Sequence, residues 1–228
     1  MAAYLFDTET TGTHEPEVIE AAWIVVNNPV HLTVGRAWEQ RFKPSKPIEL
    51  GALAVHHILD EDLAHSPASS TFTLPFDMEY IIGHNVDYDW QVSGEPNVKR
   101  ICTLALARAF VPGLDNYSQS ALMYHFYRTQ ARVKLKKAHS ALADVSNCKL
   151  LLDKLILLIN ATRKTPISNW HELWEESEAA RIPLVISFGK HKGTAVRELP
   201  RDYKNWLLKQ DTIDPYLKQA VRLSLGIA

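Results

Sequence analysis

The hydrophobic pattern changes partway along the first 160 residues. Ala3-Tyr4-Leu5-Phe6 is an apolar run that ends in Asp7-Thr8-Glu9-Thr10-Thr11-Gly12. Such a run, closed by turn residues, predicts a buried strand. Val18–Val26, rich in β-branched residues, predicts a second strand, broken by Asn27-Asn28-Pro29. A third is expected over 38–43, closed by Pro44 and Pro47. Short polar turns join these three, so they should pair as an antiparallel meander. Beyond them the period lengthens. A short helix is predicted over 51–59, a strand over 80–83, and a strand over 98–102 followed by a helix over 103–110. Further helices are expected over 118–127, N-capped by Ser118, and from Ser140 to about residue 161. Strands that alternate with helices pair in parallel. The expected class is therefore α/β: a mixed five-stranded sheet, antiparallel and then parallel, with helices on both faces.

The pattern then loosens. Residues 160–167, with Arg163, Lys164 and Pro166, read as a linker. A helix over 168–181 is expected, N-capped by Ser168, with Trp170, Leu173 and Trp174 at helical spacing as a core or docking face. A strand over 184–188, the basic turn Gly189-Lys190-His191-Lys192-Gly193, and helices near 203–209 and 215–225 complete it. This divides the chain into a unit over 1–162 and a small α/β module over 168–228. Net charge is −1, but residues 1–160 hold 14 Lys/Arg against 18 Asp/Glu, and residues 161–228 hold 11 against 8. An acidic front suits a cation and a basic tail suits a polyanion. Lys190, Lys192, Arg197 and Arg201 make the module a candidate nucleic-acid-binding one. Cys102 and Cys148 are too few for a disulfide framework and lack zinc spacing, so both should be buried. The longest apolar run, 150–159, is broken by Asp153 and Lys154, and acids appear by position 7. A membrane span and a signal peptide are not expected, and the expected location is cytoplasmic.

Three clusters carry candidate chemistry. Asp7 and Glu9 lie two apart, so on a strand both carboxylates leave one face. Crowded there, they repel and lose hydration unless a cation sits between them, and hard divalent cations take such oxygen ligands. His84-Asn85-Val86-Asp87-Tyr88-Asp89 follows the fourth strand, and His139-Ser140-Ala141-Leu142-Ala143-Asp144 opens the longest helix. Each alone has a plain structural use: Asp87 as a solvated acid, Asp144 as a partner of the helix dipole, His139 as a hydrogen-bonder. Their joint order, Asp-x-Glu, then His-Asn-x-x-Tyr-Asp, then His-x-Ala-x-x-Asp, resembles the DEDDh 3′→5′ exonucleases of ribonuclease H-like fold. The resemblance covers residues 1–160. The stretches Ala54-Val55-His56-His57-Ile58, Cys102-Thr103-Leu104-Ala105-Leu106-Ala107-Arg108 and Phe188-Gly189-Lys190-His191-Lys192-Gly193 are similar to its exonuclease X-like members. Tyr88 departs from the family's usual Phe and can add a hydrogen bond.

The resemblance implies a phosphodiester hydrolase that uses two magnesium or manganese ions about 3.5–4 Å apart. Asp7, Glu9 and Asp144 would hold one ion, Asp7 would bridge to the second, and Asp89 would complete the set. His139 would act as general base toward the attacking water. Nucleoside 5′-monophosphates would leave one at a time from a free 3′ end. Thr10, Thr11 and Gly12 are expected to pass the terminal nucleotide close to backbone, and His56 to touch its sugar or base. His84 and Asn85 are expected to orient Asp89, with Asn85 also near substrate. DNA is the expected partner, in a repair role. An exoribonuclease is the alternative within the same chemistry. A catalytically silent nucleic-acid-binding module is the alternative outside it, disfavoured because no acid of the motif is missing.

Overall fold

β1 (Ala2–Thr10) sits at the middle of the sheet because neither of its faces can be left in water. Ala3, Tyr4, Leu5 and Phe6 are all buried. In the computed structural model, which describes residues 2–137 and 139–227, β1 pairs antiparallel with β2 (Val18–Val26). β2 in turn pairs antiparallel with β3 (Val34–Arg41). On its other side β1 runs parallel to β4 (Met78–Gly83), and β4 to β5 (Lys99–Cys102). The order β3-β2-β1-β4-β5 is the mixed five-stranded sheet expected of a ribonuclease H-like fold. β3 starts and ends earlier than the sequence pattern predicts: Val34 already pairs with Val26, the paired register ends at Arg41, and Phe42 keeps one last amide bond to the Ile19 carbonyl.

The register separates two chemistries. Phe6 faces Trp23 and Trp23 faces Trp38, so these aromatics share one side with Tyr4. Tyr4 and Trp23 meet edge-on at 5.3 Å, and Trp23 stacks on Trp38 at 5.7 Å. The opposite side carries Leu5, Asp7 and Glu9, with Ala22 and Glu20 directly across from the two acids. Against β1 and β2 packs the long helix α6, Ala141–Thr162, with Leu151, Leu152, Leu155 and Ile159 fully buried. Burying each of these contributes roughly 1.5–3 kcal/mol, so the four together outweigh a helix cap of about 1 kcal/mol several-fold, and packing rather than local propensity fixes α6.

The other helices of this part are α1 (Leu50–His56), α2 (Asp87–Val92), α3 (Thr103–Phe110), α4 (Gln119–Tyr127) and α5 (Thr129–Lys134). Ser118 caps α4 as expected, accepting from the Ala121 amide at 3.2 Å. α7 (Trp170–Arg181) starts later than predicted. Its cap is Asn169, whose Oδ1 accepts from the Glu172 amide at 3.0 Å, while the Ser168 amide and hydroxyl both donate to the Glu172 carboxylate.

The chain divides into two compact units, up to Ser177 and from Glu178, with the boundary inside α7. In the first, Cys102 donates its amide to Ser177 Oγ at 2.8 Å and the Lys99 ammonium lies 5.2 Å from the Trp174 ring. In the second, α8 (Arg201–Lys209) and α9 (Pro215–Leu225) pack with Ile186, Val196 and Leu199 around Leu207, Leu217 and Val221. The strand expected over 184–188 is not formed. Val185 makes a single bridge to Ala195, and the chain turns at once into a 3₁₀ turn at Gly189–His191. The module is thus helical. Among the described residues no helix is long and apolar enough to cross a membrane.

Candidate active site

β1 delivers Asp7 and Glu9 to one end of the sheet, and two other elements converge on them. Gly83 ends β4, where a Cβ would fall 3.1 Å from the Phe6 carbonyl oxygen. That close approach brings the following turn, and with it α2, against β1. Asp89 on α2 is 5% exposed. Its Oδ1 accepts twice from Thr8, from the amide at 2.9 Å and from the hydroxyl at 2.7 Å. Thr8, between the two acids of β1, therefore fixes the third. The sequence pattern assigns that orienting task to His84 and Asn85, and the structure places them elsewhere. His84 lies between Thr103 Oγ1 at 3.0 Å and the Tyr117 carbonyl at 2.9 Å, and burial holds its pKa down at about 4. Asn85 is exposed in the left-handed region, φ 67°, beside an open cleft that Arg108 also lines. Asp87 is not simply solvated, since Arg100 donates to it at 2.8 Å.

The start of α6 brings the rest. Asp144 accepts from the His139 amide at 2.8 Å on Oδ2 and from Gln119 Nε2 at 2.8 Å on Oδ1. His139 is exposed with φ 67°, and ligand atoms of Glu9, His139 and Asp144 all lie within 4.8 Å of one another. Ser140 does not cap the helix. The first amide of α6, Ala141, instead donates at 2.9 Å to the carboxylate of Glu20, which also accepts from Arg41 Nε at 2.9 Å. Glu20 is 2% exposed. A buried acid must be paired, so one Glu inside the apolar run of β2 is itself the signal of a partner, one that the motif-based reading passes over. Truncating Glu20 to Ala leaves the Ala141 amide without its acceptor. The expected loss is about 1–3 kcal/mol in chemical denaturation, with reduced activity because Asp144 and His139 ride on that helix end.

The residues expected near substrate divide. Thr10 Oγ1 lies 2.6 Å from the Tyr88 hydroxyl, and Tyr88 donates to the Gly12 carbonyl at 2.8 Å. The Phe-to-Tyr departure thus ties the loop after β1 to the helix that carries Asp89. Thr11 is fully buried and spent inside the protein: its amide donates to Glu17, its carbonyl accepts from Glu49, and its hydroxyl accepts from the Glu17 amide. It builds the turn and offers no group to a ligand. Gly12 has φ 153°, which side chains rarely adopt, and a Cβ there would fall 2.0 Å from the Glu49 carboxyl carbon. The space beside it is filled by Glu49. The His56 ring is buried, with Nδ1 accepting from the Ile58 amide at 2.9 Å, and burial holds its pKa below the ordinary value.

The electrostatics are those of a site built for positive charge. Burial, then Asp89, Asp144 and Glu9, hold Asp7 well above the ordinary carboxylate range. Burial, then Asp144 and Glu20, push Glu9 up to about 8. Burial pushes Asp89 up to about 7 against the two Thr8 hydrogen bonds, and Asp144 is also raised, chiefly by burial. A hard cation reverses this logic by favouring the charged forms, and an all-oxygen set with one adjacent imidazole is the donor chemistry that magnesium or manganese accepts. The donors therefore fit divalent ions.

The raised values have a sign that can be measured. A folded state that keeps protons the unfolded chain has released loses stability as pH rises through that window. In EDTA these acids are expected to lower the melting temperature as pH rises from the ordinary carboxylate range, about 4–5, to about 8, the raised value of Glu9. Glu9→Gln should flatten the fall, and millimolar magnesium should oppose it most at the alkaline end. A melting temperature that rises with pH in EDTA would contradict this electrostatic picture.

The family model described as exonuclease matches residues 5–152, the segment that carries all three clusters. The chain is 28% identical over 233 residues to exodeoxyribonuclease 10 of Escherichia coli strain K12, covering 96% of each. It is 26% identical over 190 residues to the DNA polymerase III subunit epsilon of Buchnera aphidicola, covering 72% of this chain and 77% of that one. Among solved structures, exonuclease X in complex with 5′-overhanging duplex DNA is similar with TM-score 0.54 and 22% identity, covering 77% of this chain and 99% of that one. Escherichia coli exonuclease I in complex with a dA16 oligonucleotide is similar with TM-score 0.54 and 17% identity, covering 81% of this chain and 46% of that one. These two likenesses concern the fold.

Proposed function

This chain belongs to the exonuclease family, and from that premise we propose that it is a divalent-metal-dependent exodeoxyribonuclease that removes nucleoside 5′-monophosphates from DNA 3′ ends, acting in repair. One observation carries the reading: Glu9, His139 and Asp144, from two distant segments, bring ligand atoms within 4.8 Å of one another at the end of the strand that also bears Asp7. DNA rather than RNA is supported by the relatives named above, exodeoxyribonuclease 10 and the polymerase subunit.

Asp7, Glu9, Asp89 and Asp144 would hold two magnesium or manganese ions. Bound there, such ions supply the positive charge that draws in a phosphodiester, polarise it and make the attacking water acidic. The protein's own groups do the rest. Thr8 holds the Asp89 carboxylate, and Gln119 with the His139 amide holds that of Asp144, so neither must be reoriented when substrate arrives. A ring nitrogen of His139, at the exposed edge of the site, takes the proton of the attacking water. Tyr88 steadies Thr10 and Gly12, where the terminal nucleotide would lie along the backbone. His56, whose Nδ1 is engaged and whose Nε2 is buried, would support the Thr10 turn from beneath rather than touch the terminal nucleotide. Asn85 would meet the strand on the side of the open cleft.

The test is a digest of matched DNA and RNA oligonucleotides, 3′- or 5′-labelled, single-stranded and duplex, with magnesium, manganese or EDTA. Release of labelled mononucleotide from 3′-labelled DNA, lost in EDTA, is the expected result. Preferential digestion of RNA would transfer the same chemistry to the other substrate. Full activity in EDTA would remove the mechanism.

A further inference from the structure

We propose that the unit from Glu178 onward carries a base-stacking platform for single-stranded DNA, formed by Trp206 and Tyr203 on α8 with the Lys190 turn beside them. Three aromatic rings are arranged in series. His191 meets Tyr203 at 4.4 Å, and Tyr203 stacks on Trp206 at 5.3 Å with ring planes 20° apart. The near-parallel pair makes a surface of the kind on which a base can continue a stack. The core does not require the outer ring. Leu207 supplies the buried face of α8 at 0% exposure, whereas its neighbour Trp206 is 47% exposed.

Charge selects the occupant. The Lys190 ammonium lies 5.7 Å from the Tyr203 ring, close enough both to polarise the stack and to meet a phosphate. Gly189, with φ 63°, makes the tight turn that sets Lys190 and His191 against Tyr203. Lys192, Arg197 and Arg201 are exposed on neighbouring segments. Lys204 is not available, since it is buried and donates to the Arg197 carbonyl at 2.9 Å. Residues 178–228 hold nine Lys/Arg against five Asp/Glu, a net of +4, in a chain whose total is −1. Aromatic faces interleaved with cations are the combination that holds single-stranded nucleic acid without reading sequence. An apolar peptide would be served by the rings but not by the charge. That the strand is DNA rests on the exonuclease reading, while the stacking surface does not.

The experiment measures binding without cleavage. The full chain in EDTA is titrated against a 5′-fluorescein-labelled oligo(dT), by anisotropy, across a range of salt. Trp206→Ala should weaken binding roughly 5- to 150-fold, the span covered by one stacked base, with an unchanged salt slope. Trp206→Phe, which keeps an aromatic face, should stay close to the unsubstituted protein. Lys190→Ala with Lys192→Ala should make the slope of log affinity against log salt shallower by about 0.7 for each phosphate no longer neutralised. Wild-type affinity in Trp206→Ala would overturn the proposal. So would equal losses in Trp206→Ala and Trp206→Phe accompanied by a lowered melting temperature, because Trp206 would then be structural. So would failure of the unsubstituted chain to bind the oligonucleotide. None of these outcomes depends on magnesium-dependent release of the 3′ label, which judges the exonuclease reading separately.

Discussion

Asp7→Asn and Asp144→Asn are expected to abolish cleavage while leaving DNA affinity in EDTA unchanged or slightly tighter. The loss should be at least the roughly 10²–10³-fold that follows removal of a single preorganised electrostatic group, and greater for Asp7, which would serve both ions. The direction of the binding effect comes from charge. Burial, and then the repulsion of Asp89, Asp144 and Glu9, holds the proton of Asp7 on. Only where pH is high enough to strip that proton does neutralising Asp7 remove negative charge from a place a phosphate must approach, so affinity is unchanged below that pH and tighter above it. The same substitution relieves that crowding, so the metal-free variant should melt at or above the temperature of the unsubstituted protein. Lost activity in a protein that is no less stable separates a chemical role from a folding defect. If either variant retains full activity, that carboxylate holds no essential ion.

The folded site shows why some of it was legible in the sequence and some was not. Asp7, Glu9, Asp89 and Asp144 were legible because each stands at the end of an element with a strong local signal: an apolar run, a Gly-ended strand, the start of a long helix. The groups that hold those acids were not, because their partners are set by tertiary approach. Thr8 is 81 residues from Asp89, and Glu20 is 121 from Ala141. Ser118 and Ser140 look alike as N-caps in sequence. Ser118 caps its helix at an exposed end, but at Ser140 a buried carboxylate reaches the helix end first and takes the amide. Gly12 had a visible reason to be glycine, but the neighbour is Glu49. α2 escaped notice because a helix of six residues, half of them Asp or Tyr, has too few turns to show a period. The expected strand over 184–188 failed for the converse reason. Leu184-Val185-Ile186 has strand composition, but it meets only the short return at 193–196, through one bridge and three backbone hydrogen bonds, too little to extend into a strand over 184–188.

His139→Ala is expected to lower the rate by roughly 10²–10⁴-fold with little change in DNA affinity, the usual share of a general base. The residue is exposed, and its backbone amide rather than its ring holds Asp144. Removing the imidazole therefore leaves that hydrogen bond and the helix start in place. The left-handed φ of 67° is no harder for Ala than for His to within about 1 kcal/mol, so folding should be nearly unaffected. The pH dependence gives the sharper test. A general base needs a free lone pair to take the proton, so the unsubstituted enzyme should lose rate in acid. In His139→Ala, assayed with saturating magnesium so that the carboxylates stay ionised, that acid limb should flatten along with the lower plateau. Adding imidazole as a small-molecule base should restore part of the rate, and more of it at higher pH. A variant with the original rate and acid limb would show that His139 serves Asp144 through its backbone alone, and that another group takes the proton.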